Sequence, residues 1–164
     1  MKSVIYECKP QRKNRRAAVL LLLLLPLVVV AFGTASLWPS YKALLQCVGL
    51  LLLIPVIKIT ARYFLVQYLY RLCTREDGVI DLEVFTFRGG ARMQLVCRVG
   101  LDELTAVLPL DQKNEKPPHG VRRFNYHPDM APREGLVLSV ENGDGTCEIL
   151  LANEERLYRL LTQQ

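Results

Sequence analysis

The sequence holds only two histidines, His119 and His127, and none of the short motifs that organise common enzyme chemistry. HExxH and clustered Cys/His ligands are missing, which excludes the familiar zinc arrangements. The stretch "HPD" at 127–129 offers one imidazole and one carboxylate, too few for a metal, and reads as a turn with a proline-fixed backbone. GxSxG, the Walker GxxxxGK and GxGxxG are lacking too, so no nucleophile elbow or phosphate cradle is legible. Five cysteines, Cys8, Cys47, Cys73, Cys97 and Cys147, are odd in number and contain no CxxC pair. That pattern excludes a secreted disulfide framework and points to reduced, mostly buried thiols in a cytosolic setting. Asp102, Glu103, Asp129 and Glu134 supply carboxylates, but a general acid and base need a shared cleft, and nothing in the sequence brings them together. The expectation is a protein without catalytic residues, cofactor or metal.

An excess of basic over acidic residues is found in one place only. Lys2, Lys9, Arg12, Lys13, Arg15 and Arg16 against Glu7 account for the whole formal net charge of +5. A nucleic-acid-binding domain carries its basic excess on the folded part, so a nucleic-acid partner is not expected. The tail charge points to membrane orientation or to anionic lipid headgroups.

Charge of either sign then disappears. From Ala17 to Trp38 there is no charged residue, and at about 1.5 Å per residue this run crosses a hydrocarbon core of roughly 30 Å as a helix. A signal peptide has a shorter apolar core, about 7–15 residues, although "GTAS" at 33–36 imitates a cleavage site. A second apolar segment, 43–62, weighs against that reading and, after the five-residue turn "WPSYK", predicts an antiparallel transmembrane hairpin within 17–65. Pro26 and Pro55 fall inside the two helices, where a bilayer tolerates them. Trp38 and Tyr41 at one end fit interfacial anchoring, while Lys58 and Arg62 snorkel at the other. The residues expected at the lipid surface are Arg12, Lys13, Arg15, Arg16, Trp38, Tyr41, Lys58 and Arg62. Their asymmetry predicts a multi-pass protein of the cell inner (plasma) membrane with both termini cytoplasmic, residues 1–16 forming a basic tail.

From about Val66 the pattern changes to period two. Strands are expected at 66–73, 79–87, 92–99, 104–108, 121–127, 135–141 and 146–152, with turns at "REDG", "RGGA" and "NGDG". In 79–87, Ile80, Leu82 and Val84 alternate with Asp81 and Glu83. The end, 153–162, reads as an amphipathic helix with Asn153 as N-cap and Leu157, Leu160 and Leu161 on one face. Without helices to make parallel crossovers, the sheet is expected to be antiparallel and curled. The extreme N-terminal "SVIYEC" has β character and is expected to add to an edge strand.

Two apolar helices followed by an all-β segment, the "CRVGLDEL" corner and the final "NGDGTCEILLANEERLYRLL" resemble the bacterial membrane proteins that carry a pleckstrin-homology-like (PH-like) domain behind a transmembrane hairpin. The resemblance implies an α+β membrane protein with a partly open barrel over 66–164 capped by its last helix. It implies a binding or scaffolding module for a protein or lipid partner at the membrane surface, and it transfers no functional residues. Two other classes remain open: a membrane-bound enzyme with an interfacial site, and a hairpin acting as an accessory subunit of a membrane complex. For the latter, Ala43, Cys47 and Gly49 form a small-residue stripe. Arg88, Arg92, Arg122 and Arg123 are candidates for a basic face on the β domain.

Overall fold

The computed structural model describes residues 3–11, 13–89, 92–112, 117–143 and 145–162. They divide into two units, 13–66 and the remainder.

The first unit is a pair of antiparallel helices. Helix α1 (Arg15–Leu37) and helix α2 (Lys42–Ile59) are joined by a single 3-10 turn, Pro39–Tyr41. Both helices are apolar all round, and both are long enough and apolar enough to cross a membrane. Most of their side chains are exposed, Leu22, Val29, Leu51 and Ile57 each by more than half. The buried positions combine small residues with Val28, Val56 and Ile59. Ala17, Ala31 and Ala35 of α1 and Gly49 of α2 are buried, and the ring of Phe32 lies where a Cβ on Gly49 would stand, 2.8 Å from its Cε2. Gly49 therefore serves packing inside the hairpin, while Ala43 and Cys47 of the same stripe are exposed. Past α2 the helix widens into a π-helical turn, Thr60–Leu65. The Asn14 side-chain amide donates to the backbone carbonyl of Tyr63, stapling the start of α1 to this turn.

The second unit contains two four-stranded sheets and a helix. Sheet A has the order β1 (Ser3–Cys8), β2 (Val66–Thr74), β3 (Ile80–Arg88), β4 (Gln94–Gly100). Sheet B has the order β5 (Leu104–Pro109), β7 (Leu136–Asn142), β8 (Gly145–Leu151), β6 (Arg122–Asn125). The N-terminal segment does add to an edge: β1 pairs antiparallel with β2, Glu7 opposite Arg71. The basic tail read from the sequence as 1–16 thus contains a strand of this unit. The tight turns fall where the glycines allow positive φ, at Gly78 after β2 and at Gly145 opening β8; Gly90 and Ala91 of "RGGA" and Asp144 of "NGDG" lie outside the described residues.

One expectation is corrected. The β6–β8 pair is parallel, Arg123 opposite Glu148. A helix is one way to make such a crossover; here residues 126–135 do it as an irregular segment, carrying the chain past β8 so that β7 can return antiparallel between β5 and β8. A second correction is local. Helix α3 spans Glu155–Thr162, and its first bond runs from Tyr158 N–H to the Glu154 carbonyl, so the cap position is Glu154 and not Asn153.

The core lies between the sheets. Tyr70 and Leu72 of β2 and Leu82 and Val84 of β3 are buried, as are Leu136, Leu138, Ile149 and Leu151 of sheet B and Leu157 and Leu161 of α3. Tyr70 ties the sheets together: its hydroxyl donates to the Tyr126 carbonyl at 3.0 Å and accepts from Ala152 N–H at 3.2 Å. Burial pushes the Tyr70 phenol well above its ordinary pKa, so both bonds persist across the usable pH range.

Candidate membrane interface

Antiparallel packing sorts the polar residues of the helical unit by end. Lys13, Arg15 and Arg16 precede or open α1, and Lys58 and Arg62 lie in the last turns of the second helical segment, so all five gather at one end. Arg12 lies outside the described residues. The opposite end carries Trp38 and Tyr41, both well exposed, with ring centroids 6.4 Å apart, and only Lys42 as a charge. Between the ends the exposed surface is mostly aliphatic. An aqueous surface of this kind is costly at roughly 25 cal/mol per Å2 of apolar area, whereas a hydrocarbon slab with headgroups at both ends matches it.

The β unit pairs its buried acids with arginines of its own. On the outer face of sheet A, Asp81 and Glu83 are buried despite alternating with the core residues Leu82 and Val84. Arg75 reaches Asp81 at 2.7 Å and Arg98 reaches Glu83 at 2.7 Å. Arg71 pairs with Glu7 at 2.7 Å and lies 5.0 Å from the centre of the Phe85 ring. Arg75 and Arg98 thus supply counter-charges to two buried acids, whereas Glu7 stays partly exposed beside Arg71. The hydrogen bonds it donates to Asp81 hold the Arg75 guanidinium protonated still more firmly than usual. In sheet B the parallel register sets Arg123 beside Glu148, and Nε and Nη of Arg123 converge on one carboxylate oxygen at 2.8 and 2.7 Å.

This pairing decides the fate of the four arginines read as a basic face. Arg123 is largely buried and belongs to Glu148. Arg122 is exposed on the edge strand of sheet B, while Arg88 and Arg92 flank the β3–β4 hairpin of sheet A. Cys97 stands on the inner side of β4 and Arg98 on the outer, as strand alternation requires; burial pushes the Cys97 thiol up, away from reactivity. His127 is buried, with its Nδ1 accepting the Asp129 N–H at 3.0 Å. The ring is therefore neutral, and burial lowers its pKa. The carboxylates Asp102, Glu103, Asp129 and Glu134 fall on two separate segments, the corner after β4 and the β6–β7 crossover. Among the described residues no group of three His, Cys, Asp or Glu side chains converges on a point that would hold a metal ion.

One open cleft of about 600 Å3 lies between the β2–β3 turn, the corner after β4, β5 and the end of α3. Its walls are Val79, Ile80, Leu101, Leu104, Val107 and Leu161, with Asp102, Thr105 and Thr162 as its polar side chains. One carboxylate and two hydroxyls on an apolar wall can hold an extended chain or an apolar side chain. Sequence reasoning missed this cleft because its walls come from four segments spread over more than eighty residues. No protein-family model, curated protein or solved structure matches the chain.

Proposed function

We propose that this chain is an integral inner-membrane protein in which a two-helix hairpin holds a PH-like β domain at the cytoplasmic surface, where the domain serves as a non-enzymatic binding or scaffolding module. One observation carries the reading: β1, which precedes the hairpin, pairs with β2, which follows it directly. If the two apolar helices cross a bilayer, both flanks must then lie on the same side, and the crossing is double. Cleavage at residues 33–36 would remove β1 and leave the edge of β2 open, which argues against a signal peptide. The side follows from the five basic residues at the flanked end against Lys42 at the other. The binding role is supported by the mixed cleft, whose walls do not align a nucleophile with a base.

The test uses a cysteine-free chain with one cysteine restored at Ser40→Cys, between the helices, or at Glu76→Cys, in the exposed β2–β3 turn. In intact cells an impermeant thiol reagent is expected to label position 40 alone, and position 76 only after permeabilisation. Labelling of position 76 from outside would invert the protein, and release of the chain by alkaline carbonate would remove the anchor altogether.

A further inference from the structure

At the end of sheet A that the chain joins to the hairpin, Arg88, Arg92 and Met93 are exposed. Lys9 follows β1 six residues before Arg15, and Gln67 stands two residues after Leu65. Backbone reach holds these two within about 20 Å and about 7 Å of the helical segment, however the units are arranged. The Lys9 ammonium lies 5.5 Å from the centre of the Phe87 ring, which fixes the far end of β3 beside these tethered residues. The β3–β4 hairpin therefore turns at this same end, with Arg88, Arg92 and Met93 exposed, Met93 by 56%. Phe85, also towards this end, is already covered by Arg71.

The contrast in pairing is informative. Arg71, Arg75 and Arg98 are each matched to an acid of the same sheet. Arg88 and Arg92 have no acidic partner among the described residues, and no acid lies between Val84 and Gly100 in the chain. Two guanidinium groups, an ammonium stacked on an aromatic ring and an exposed thioether side chain make a surface that is cationic at its rim and apolar at its tip. Phosphate-bearing headgroups over an acyl layer have the complementary character.

We propose that Lys9, Phe87, Arg88, Arg92 and Met93 form a second, peripheral membrane contact, docking on the anionic headgroups of the bilayer that holds the hairpin, with Met93 entering the headgroup–acyl boundary. The proposal rests on the membrane-anchored reading above and assigns that domain its lipid class and its docking face. Each basic residue near an anionic surface strengthens attachment by about fivefold, too little for a free domain. A tethered domain needs no more, since the hairpin supplies the effective concentration. Docking at this end leaves the β2–β3 turn, with Glu76 and Asp77, pointing away from the lipid.

The chain has a single tryptophan, Trp38, which makes the test direct. Full-length protein is reconstituted in phosphatidylcholine vesicles with or without phosphatidylglycerol, using lipids brominated at a shallow acyl position as quenchers. Native Trp38 reports insertion of the hairpin; W38F/M93W reports the tip, and W38F/E76W the far turn. The expected result is quenching at positions 38 and 93 but not 76, the signal at 93 requiring phosphatidylglycerol. Arg88→Gln and Arg92→Gln, placed on W38F/M93W, should each lower the docking equilibrium about fivefold. Loss of quenching at Trp38 itself refutes the anchored reading. Quenching at Trp38 with position 93 no brighter or dimmer than position 76 in response to bromine overturns the proposal alone. A blue-shifted but unquenched Trp at position 93 also overturns it, because the tip is then covered by protein and not by lipid.

Discussion

Removing Arg123 takes a guanidinium away from a carboxylate that the fold has already buried. Glu148 has a side-chain exposure of 2%, and the Arg123 guanidinium meets it at 2.7 Å from the neighbouring parallel strand. A buried pair that loses one partner costs about 3–5 kcal/mol, because the remaining charge has neither solvent nor counterion. Arg123→Ala should therefore destabilise the β unit by about that amount. The pair itself need not be stabilising, since two apolar side chains of similar volume commonly replace a buried ion pair at no cost. R123M/E148M should accordingly recover most of the loss. The assay is hydrogen exchange of the β7 and β8 amides in the full chain held in lipid nanodiscs, which reads the opening of this sheet whatever the helices do. A loss of 3 kcal/mol accelerates the slowest amides by about a hundredfold. Wild-type exchange in Arg123→Ala would refute the burial argument. Equal acceleration in the single and double variants would show that the arginine acts by packing and not by neutralising Glu148.

Three further outcomes follow from the geometry. Burial lowers the His127 pKa from the usual imidazole value, so the unfolded chain takes up its proton near pH 6.5 and the folded chain only at lower pH. Stability is thus full above that pH and falls below it by at most about 1.4 kcal/mol per pH unit, and His127→Gln should flatten this limb of a pH–melting profile. Tyr70→Phe leaves the Tyr126 carbonyl and the Ala152 N–H without their hydroxyl partner, at about 1–3 kcal/mol for each buried group left unpaired; exchange at Ala152 should accelerate before that of β3. In the hairpin, Gly49→Leu meets the Phe32 ring and should cost about 1–3 kcal/mol by overpacking. Denaturant-resistant helix association in micelles should fall, and Phe32→Ala on the same chain should restore it.

Much of this structure is legible in local pattern. An uncharged run from Ala17 to Trp38 and another beginning at Ala43 are long enough for helices, and the alternations after Val66 place seven strands within a few residues of where they occur. Leu157 and Leu161 at helical spacing identify the buried face of α3. What these signals share is short range: the period, the turn glycines and the charge runs each act within a dozen residues.

The partners of those elements were not legible, for the same reason. Asp81 and Glu83 read as the solvent side of an ordinary half-buried strand, and only Arg75 and Arg98, arriving from a turn and from the next strand, allow them to be buried. Nothing in "VRRFNYH" distinguishes Arg122, which stays exposed, from Arg123, whose fate depends on Glu148 coming to lie beside it in a parallel register. The basic candidates Arg88 and Arg92 were visible as residues, but their position at the tethered end of sheet A rests on the Lys9–Phe87 contact, which joins segments some eighty residues apart. Sequence by itself thus determined which segments are helix, strand or apolar enough for lipid, because those are properties of neighbouring side chains and of the backbone. Tertiary structure alone decided which charges are neutralised, which glycine admits a ring and which strand ends meet within a sheet, because each depends on desolvation and packing by residues distant in the chain.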